Sequence, residues 1–162
     1  MKKNTKKGFT LVELLVVIAI LAILSSVAVV GYTAFINNAK DSAAKTEAKQ
    51  IETAIEATLM AGDPYKLGEI QAVPESGTVG QPDYVAPQAA VPYYVVKGAD
   101  NKIYVTTNPS ATTLANVTEL PANLVLNDDI KDLGKITLGT TQGILVFTSA
   151  SSGKTADIDL TK

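Results

Sequence analysis

The chain has 162 residues and a formal net charge of −2, and it contains no cysteine, histidine or tryptophan. This composition excludes disulfides, thiol nucleophiles, Cys/His zinc sites and a Ser-His-Asp triad, and the lack of histidine disfavours an enzyme. All 14 basic residues are lysine, and without the first eight residues the balance is 10 basic against 16 acidic, or −6. That charge disfavours a nucleic-acid partner.

The chain begins with a basic segment that is followed by a long apolar one. Four lysines stand among the first seven residues, Gly8 follows them, and the 26 residues from Leu14 to Ala39 carry no charge. As a helix this stretch would be about 39 Å long, enough to cross a hydrocarbon core of about 30 Å. The lysines predict that the N-terminus lies in the cytoplasm.

Two interpretations of this segment leave its one acid, Glu13, without a role. An ordinary secretory signal would use Leu14–Leu24 as its apolar core and Ser26-Val27-Ala28 as its cleavage site. A plain membrane anchor would need only the apolar length. A charge inside a membrane helix costs about 2.5–3.5 kcal/mol on insertion scales, and such residues usually have a partner and a function.

A third interpretation gives Glu13 a partner. If the chain is cut after Gly8, Phe9 becomes a new N-terminus with a positively charged amine, four residues before Glu13 on the same helical face. In a bundle of such helices, Glu13 of one subunit can meet the Phe9 amine of its neighbour. Because an unpaired buried charge is expensive, this pairing would fix the register of the subunits.

The opening sequence KKGFTLVELLVVIAILAIL resembles the class III signal of type IV prepilins and the related pseudopilins. The resemblance covers about the first 55–60 residues and lies in the basic leader, Gly8, Phe9, Thr10, Glu13 and the apolar helix. It implies that a prepilin peptidase cleaves between Gly8 and Phe9 and methylates Phe9, and that Glu13 aligns subunits. We expect no catalytic residue, metal or cofactor.

The chain departs from that family at two positions. Many members have a glycine and a proline where this chain has Ala22 and Val30. In known filaments of the family the stretch between these two points often loses its helical structure. Here only Ser25, Ser26, Gly31 and β-branched residues weaken the helix, so melting between Ser25 and Gly31 is an open question at this point.

The pattern predicts one helix from Phe9 to Ala61, about 80 Å long. Its second half has an apolar stripe made of Ile51, Ile55 and Leu59, with three alanines beside it. The charged residues Lys45, Lys49, Glu52 and Glu56 are predicted on the other faces. Gly62 is predicted to cap the helix, since Pro64 cannot continue it. The predicted divisions are a leader 1–8, a membrane or filament-core helix 9–31, an amphipathic helix 32–61 and a globular β domain 62–162.

The C-terminal part predicts a small β domain. Residues 62–92 contain five prolines and predict a long irregular connection. PYYVVKGADNKIYVTT and GILVFTSASSGKTADIDLT each predict a β-hairpin, the second with its turn at Ser152-Gly153. LVLNDDIKDLGKITLG between them predicts a helical turn after Asn127 or Asp128, then a short strand. The expected fold is α+β and pilin-like, with the long N-terminal helix packed on a mainly antiparallel sheet.

Three weaker signals have more than one interpretation. Carboxylates at Asp128, Asp129 and Asp132 could hold calcium or could cap a helical turn. Asn116-Val117-Thr118 fits a glycosylation sequon. The aromatic residues Tyr93, Tyr94 and Tyr104 are expected in strand core and cross-strand pairs rather than on a ligand platform.

The expected function is that of a structural subunit, a major pilin, in an extracellular type IV pilus that serves adhesion, aggregation or surface motility. By the resemblance its partners are identical subunits, a prepilin peptidase, an inner-membrane platform with its ATPase, and membrane lipid before assembly. The precursor would be a single-pass protein of the cytoplasmic membrane. The alternatives are a pseudopilin of a type II secretion or DNA-uptake machine, or a membrane-anchored surface enzyme or binding domain.

Overall fold

The computed structural model describes residues 8–161, so the lysines of the predicted leader lie outside the described residues. One α-helix, α1, runs from Leu11 to Met60. Seven β-strands follow within the described chain: β1 (Tyr65–Ile70), β2 (Val91–Lys97), β3 (Ile103–Thr106), β4 (Val125–Leu126), β5 (Gly134–Leu138), β6 (Ile144–Ser149) and β7 (Thr155–Asp159). The fold is α+β and pilin-like, as predicted.

Contacts divide the chain into two compact units, one that ends at Ala39 and one that begins at Lys40. The first, which we call the stem unit, is the apolar part of α1. An 18-residue window in this helix has a mean hydropathy of 3.0 and no residue buried, so its length and composition suffice to cross a membrane. The second unit, the head unit, contains about the last two-fifths of α1 and all seven strands of the described chain.

The head unit has two antiparallel sheets. The first has four strands in the order β3-β2-β1-β4, and the second has three in the order β5-β6-β7. The last part of α1 buries Ala44, Ala48, Ile51 and Ile55. Three of these, Ala48, Ile51 and Ile55, belong to one core with buried residues of both sheets, among them Leu67, Val95, Ile136, Phe147 and Ile158. The predicted apolar stripe is therefore the core face of the helix.

One charged residue of this helix lies where the pattern did not predict it. Glu52 was expected on an outer face, but it is only 4% exposed. The Lys49 ammonium donates to Glu52 Oε1 at 2.6 Å, and this hydrogen bond raises the pKa of Lys49 above its ordinary value. Burial of a carboxylate is tolerable because a charged donor compensates it.

The C-terminal end of α1 agrees with the predicted cap. Gly62 has a φ of 84°, its N–H donates to Leu59 O, and the Asp63 N–H donates to Thr58 O at 3.2 Å. These two bonds form a Schellman motif, which satisfies carbonyls that the helix leaves open. A residue without Cβ adopts this backbone conformation without strain, so Gly62 ends the helix and Pro64 follows it.

Both predicted hairpins are confirmed. The prediction of a long irregular connection over residues 62–92 is wrong in part. β2 pairs with β3 around a turn at Gly98 and Asn101, and β6 pairs with β7 around Gly153. However, β1 lies inside 62–92 and pairs with both β2 and β4. Tyr65 and Leu67 in β1 are buried and anchor it in the core.

The helical turn that was predicted after Asn127 is also present, since the Lys131 N–H donates to Asn127 O at 2.9 Å.

Residues 71–90 form an extended loop between β1 and β2, which we call the arm. All of its residues except Tyr84 are exposed. Val73 and Gln88 exchange two backbone hydrogen bonds of 2.9 Å, and Ser76 and Val85 exchange another pair. The arm is therefore a narrow ribbon, tied at two points, rather than an unstructured connection.

Gly68 offers a direct test of the sheet that contains β1. It lies at a β-bulge and pairs with Leu126, and any added Cβ would collide with the backbone carbonyl of Val125. We expect Gly68→Ala to weaken the β1–β4 pairing and to lower the free energy of unfolding by about 1–3 kcal/mol. Urea unfolding of the detergent-solubilised chain measures this.

The matched control is Gly31→Ala, which adds the same methyl group where nothing lies within 4 Å. It should leave the urea midpoint unchanged or slightly higher, since alanine favours a helix more than glycine does. Equal midpoints for Gly68→Ala and the unmodified chain would contradict the close approach of β4 to β1.

Candidate functional site: the N-terminal end of the long helix

The structure starts α1 two residues later than predicted. The helix was expected from Phe9, but it begins at Leu11. Thr10 is the N-cap residue: the first helical bond is donated by the Leu14 N–H to Thr10 O, and Glu13 N–H donates to Thr10 Oγ1, both at 3.3 Å. The prediction was wrong here because the threonine hydroxyl takes the place of the carbonyl that a longer helix would use.

Glu13 completes this cap from the other side. The Thr10 backbone N–H and the Thr10 hydroxyl both donate to Glu13 Oε2 at 2.8 Å. The arrangement is a capping box, in which the N-cap and the third helical residue satisfy each other's donors. An acid at this position is also favoured by the positive end of the helix dipole.

The two oxygens of the Glu13 carboxylate therefore differ. Oε2 accepts both bonds from Thr10. No bond to Oε1 is seen within residues 8–161. The carboxylate thus has an acceptor left for a second donor while it caps its own helix. The sequence missed this double use, although Thr10-Leu11-Val12-Glu13 is a readable capping-box pattern before an apolar run.

Gly8 and Phe9 lie outside the helix. Both have non-helical backbone, and the Phe9 side chain is 87% exposed. Nothing lies within 4 Å of the place that a Cβ on Gly8 would take. Gly8 thus has free space on the side where a side chain would stand. Because Phe9 precedes the N-cap, it is not on the helical face of Glu13 that the sequence suggested.

The stem unit behind this site presents an apolar surface without unsatisfied hydroxyls in its middle. Large side chains such as Leu15, Ile18 and Leu24 are about half exposed or more. The Ser25 hydroxyl donates to Leu21 O and the Ser26 hydroxyl to Ile23 O, each at 2.7 Å. Such bonds to the preceding turn remove the need for water. α1 continues through Ser25–Gly31 without a break in the isolated chain.

Some residues of the weaker sequence signals form contacts within the head unit. Asp128 accepts from the Lys131 ammonium at 2.7 Å, and this hydrogen bond holds the pKa of Asp128 below its ordinary value. No cluster of three or more potential metal ligands occurs in the described part of the chain. Asn116 Oδ1 accepts from the Val105 N–H, which ties the sequon segment to β3. Tyr93 and Tyr94 lie in β2 and Tyr104 in β3, all half-buried.

Comparison with known proteins finds similarity in the same N-terminal part of the chain. The family model described as "Prokaryotic N-terminal methylation motif" matches residues 3–29. The chain is 39% identical to Fimbrial protein Q of Moraxella bovis over 66 residues. This aligned stretch covers 41% of this chain and 42% of that protein. Over 64 residues it is 41% identical to the Type IV major fimbrial protein FimA of Dichelobacter nodosus, covering 40% and 41%.

A third relative is the Type IV major pilin protein PilA of Myxococcus xanthus (strain DK1622), 38% identical over 73 residues, with 44% of this chain and 33% of that protein covered. The matched part thus spans about two-fifths or less of these relatives. No solved structure matches the chain significantly. The motif, the apolar helix and the relatives agree with the resemblance seen in the sequence: the N-terminal segment of the chain is similar to that of type IV fimbrial and pilin proteins.

Proposed function

We propose that the chain is a structural subunit, a major pilin, of an extracellular type IV pilus. The observation that carries this proposal is the exposed apolar stem unit, which has one carboxylate, Glu13, at its very start. An apolar rod of this length needs a membrane or an assembly of like rods to cover it. Relatives named as major fimbrial or pilin proteins support the same function.

Assembly would follow from the chemistry at the N-terminal end. Cleavage between Gly8 and Phe9 creates an amine on Phe9, which prepilin peptidase then methylates. That positive group meets Glu13 of a neighbouring copy in the fibre core, where the second carboxylate oxygen is available to it. The pairing of two buried charges fixes the axial register, because a shifted subunit would leave both unpaired.

The proposed pathway of the precursor has two stages. The leader lysines hold the N-terminus in the cytoplasm, so that the head unit lies outside the membrane. An inner-membrane platform with its ATPase then moves the cleaved subunit from lipid into the growing fibre. In the fibre the arm and the other exposed loops of residues 62–162 would contact surfaces or other cells. The side chains of these loops would then determine which ligands the fibre binds.

Electron microscopy of cells with and without the gene tests the proposal. Long surface fibres that contain this subunit, and that are lost with the gene, support a pilin. Expression of the cleaved subunit without such fibres would instead indicate a pseudopilin of a secretion or DNA-uptake machine. Relatives named as fimbrial proteins disfavour that second function.

A further expectation concerns the mature N-terminus. Intact-mass analysis of the subunit from sheared fibres should give a chain that begins with methylated Phe9. The reason for this expectation is Gly8, because its lack of a side chain lets a membrane protease approach the backbone closely. A mature chain that begins at Val29 would show an ordinary secretory signal and would overturn the pilin proposal.

A further inference from the structure

The end of the helix lies next to the bond that the proposed peptidase must reach. In an uninterrupted α-helix each N–H bonds to the carbonyl four residues earlier. The Val12 N–H would then bond to the Gly8 carbonyl, which belongs to the Gly8–Phe9 peptide bond, and the Glu13 N–H would bond to the Phe9 carbonyl. A helix extended by one turn would therefore engage the backbone on both sides of Phe9.

The structure prevents this extension through one side chain. The Glu13 N–H, which would otherwise bond to Phe9 O, donates to Thr10 Oγ1 at 3.3 Å. The Thr10 N–H and hydroxyl are themselves taken by Glu13 Oε2 at 2.8 Å. Thr10 thus competes directly with the carbonyl of Phe9 for the same donor. Gly8 and Phe9 keep a non-helical, open backbone as a result.

We propose that Thr10 is a positioning residue for leader removal: its cap stops α1 at Leu11 and keeps the Gly8–Phe9 bond outside the helix, where a protease can bind it. This inference rests on the proposed function, since it concerns the same cleavage. If the cap is lost near a membrane, the N–H groups at the helix end have no acceptor, which is costly there. Extension of the helix by another turn is then favoured, because the preceding carbonyls accept from these groups.

The inference does not require the charge of Glu13. The bond that competes with Phe9 O uses the main-chain N–H of residue 13, which every residue except proline provides. The Thr10 hydroxyl oxygen is the acceptor. Substitutions at Thr10 therefore separate the position of the helix end from the assembly role proposed for Glu13.

The test is the rate of leader removal from the full-length precursor in membranes that contain prepilin peptidase, followed by gel shift. We expect Thr10→Ala to slow leader removal about five-fold, which is the size of effect that loss of an N-cap residue has on a helix end. Thr10→Ser and Thr10→Asn should stay within about two-fold of the unmodified rate, because serine and asparagine are good N-caps.

Thr33→Ala is the matched control. Thr33 is also a threonine of α1, but its hydroxyl donates to Val30 O within the helix and caps nothing. Its loss should leave the rate of leader removal unchanged. The amount of each precursor in the membrane fraction is measured alongside, so that slow insertion is not mistaken for slow cleavage.

Two outcomes would overturn the inference. If Thr10→Ala is processed at the unmodified rate, the cap does not position the bond. If Thr10→Asn is as slow as Thr10→Ala, the peptidase reads the hydroxyl itself and not the helix end. Failure of the unmodified chain to be cleaved between Gly8 and Phe9 is a different result, since it would reject the proposed function as well.

Discussion

Glu13→Val should leave the precursor in the membrane and allow its leader to be removed, yet it should abolish fibres or reduce their number about tenfold or more. Valine makes the segment more apolar, so insertion is not impaired. The main-chain bond to Thr10 Oγ1 remains, so the helix still ends at Leu11. What disappears is the proposed acceptor for the neighbour's Phe9 amine, which would then stand unpaired in the apolar core of the fibre.

Glu13→Gln separates the two uses of this side chain. Glutamine at the third helical position can still complete a capping box, but it carries no charge for an amine partner. If the carboxylate acted only as a cap, Glu13→Gln would assemble normally. We expect fewer fibres than from the unmodified chain and more than from Glu13→Val. Fibre counts by electron microscopy and leader removal by gel shift provide both readouts.

Normal fibre numbers from cleaved Glu13→Val protein would contradict the register role. The structure would then leave only the helix cap as an explanation of the acid. A variant that fails to enter the membrane gives no fibres either, so fibre counts are compared only between variants with equal amounts of cleaved protein in the membrane fraction.

Phe147→Ala should produce the largest loss of stability in the head unit. Phe147 is fully buried in β6, the middle strand of the second sheet, between Ile136 on β5 and Ala156 on β7. Truncating a buried phenylalanine costs about 3–5 kcal/mol, because apolar contacts are lost and a cavity remains. The free energy of unfolding of a domain is typically only about 5–15 kcal/mol. The substitution would therefore remove a large share of it.

Urea unfolding of the purified full chain in detergent measures this loss from the signal of the head unit. Val79→Ala is a suitable control, since Val79 lies in the arm and is 70% exposed. It should shift the midpoint little. A Phe147→Ala midpoint within error of the Val79→Ala midpoint would show that β6 is not the centre of the core.

Sequence patterns predicted the parts of the fold that depend on contacts between residues close together in the chain. Both hairpins pair strands that follow one another, and Gly62 caps the helix that it ends. β1 was missed because its partners are distant: β2 begins 21 residues after it ends and β4 is farther still. A short strand with lysine, glycine and glutamate in it has little local signal, and tertiary pairing determines its conformation.

The candidate site shows the same division. The resemblance to prepilins singled out Gly8, Phe9 and Glu13, because a basic leader, a glycine, an aromatic residue and an acid at fixed intervals form a local pattern. The burial of Glu52 has no such signal, because the helical period gives only the centre of the apolar face. Its burial depends on what packs beside α1 and on where the Lys49 ammonium reaches.

Two prolines stand beside the first backbone bridge of the arm, Pro74 after Val73 and Pro87 before Gln88. Val73 and Gln88 point their own N–H and C=O groups at each other, so the backbone of the next residues, Pro74 and Pro87, faces outward on either side. Neither proline has an N–H to donate. A foreign strand that approached the ribbon at these two positions would find no N–H donor, and that disfavours edge-to-edge pairing there. In the proposed fibre, these two prolines would therefore disfavour cross-β pairing between the arms of neighbouring copies.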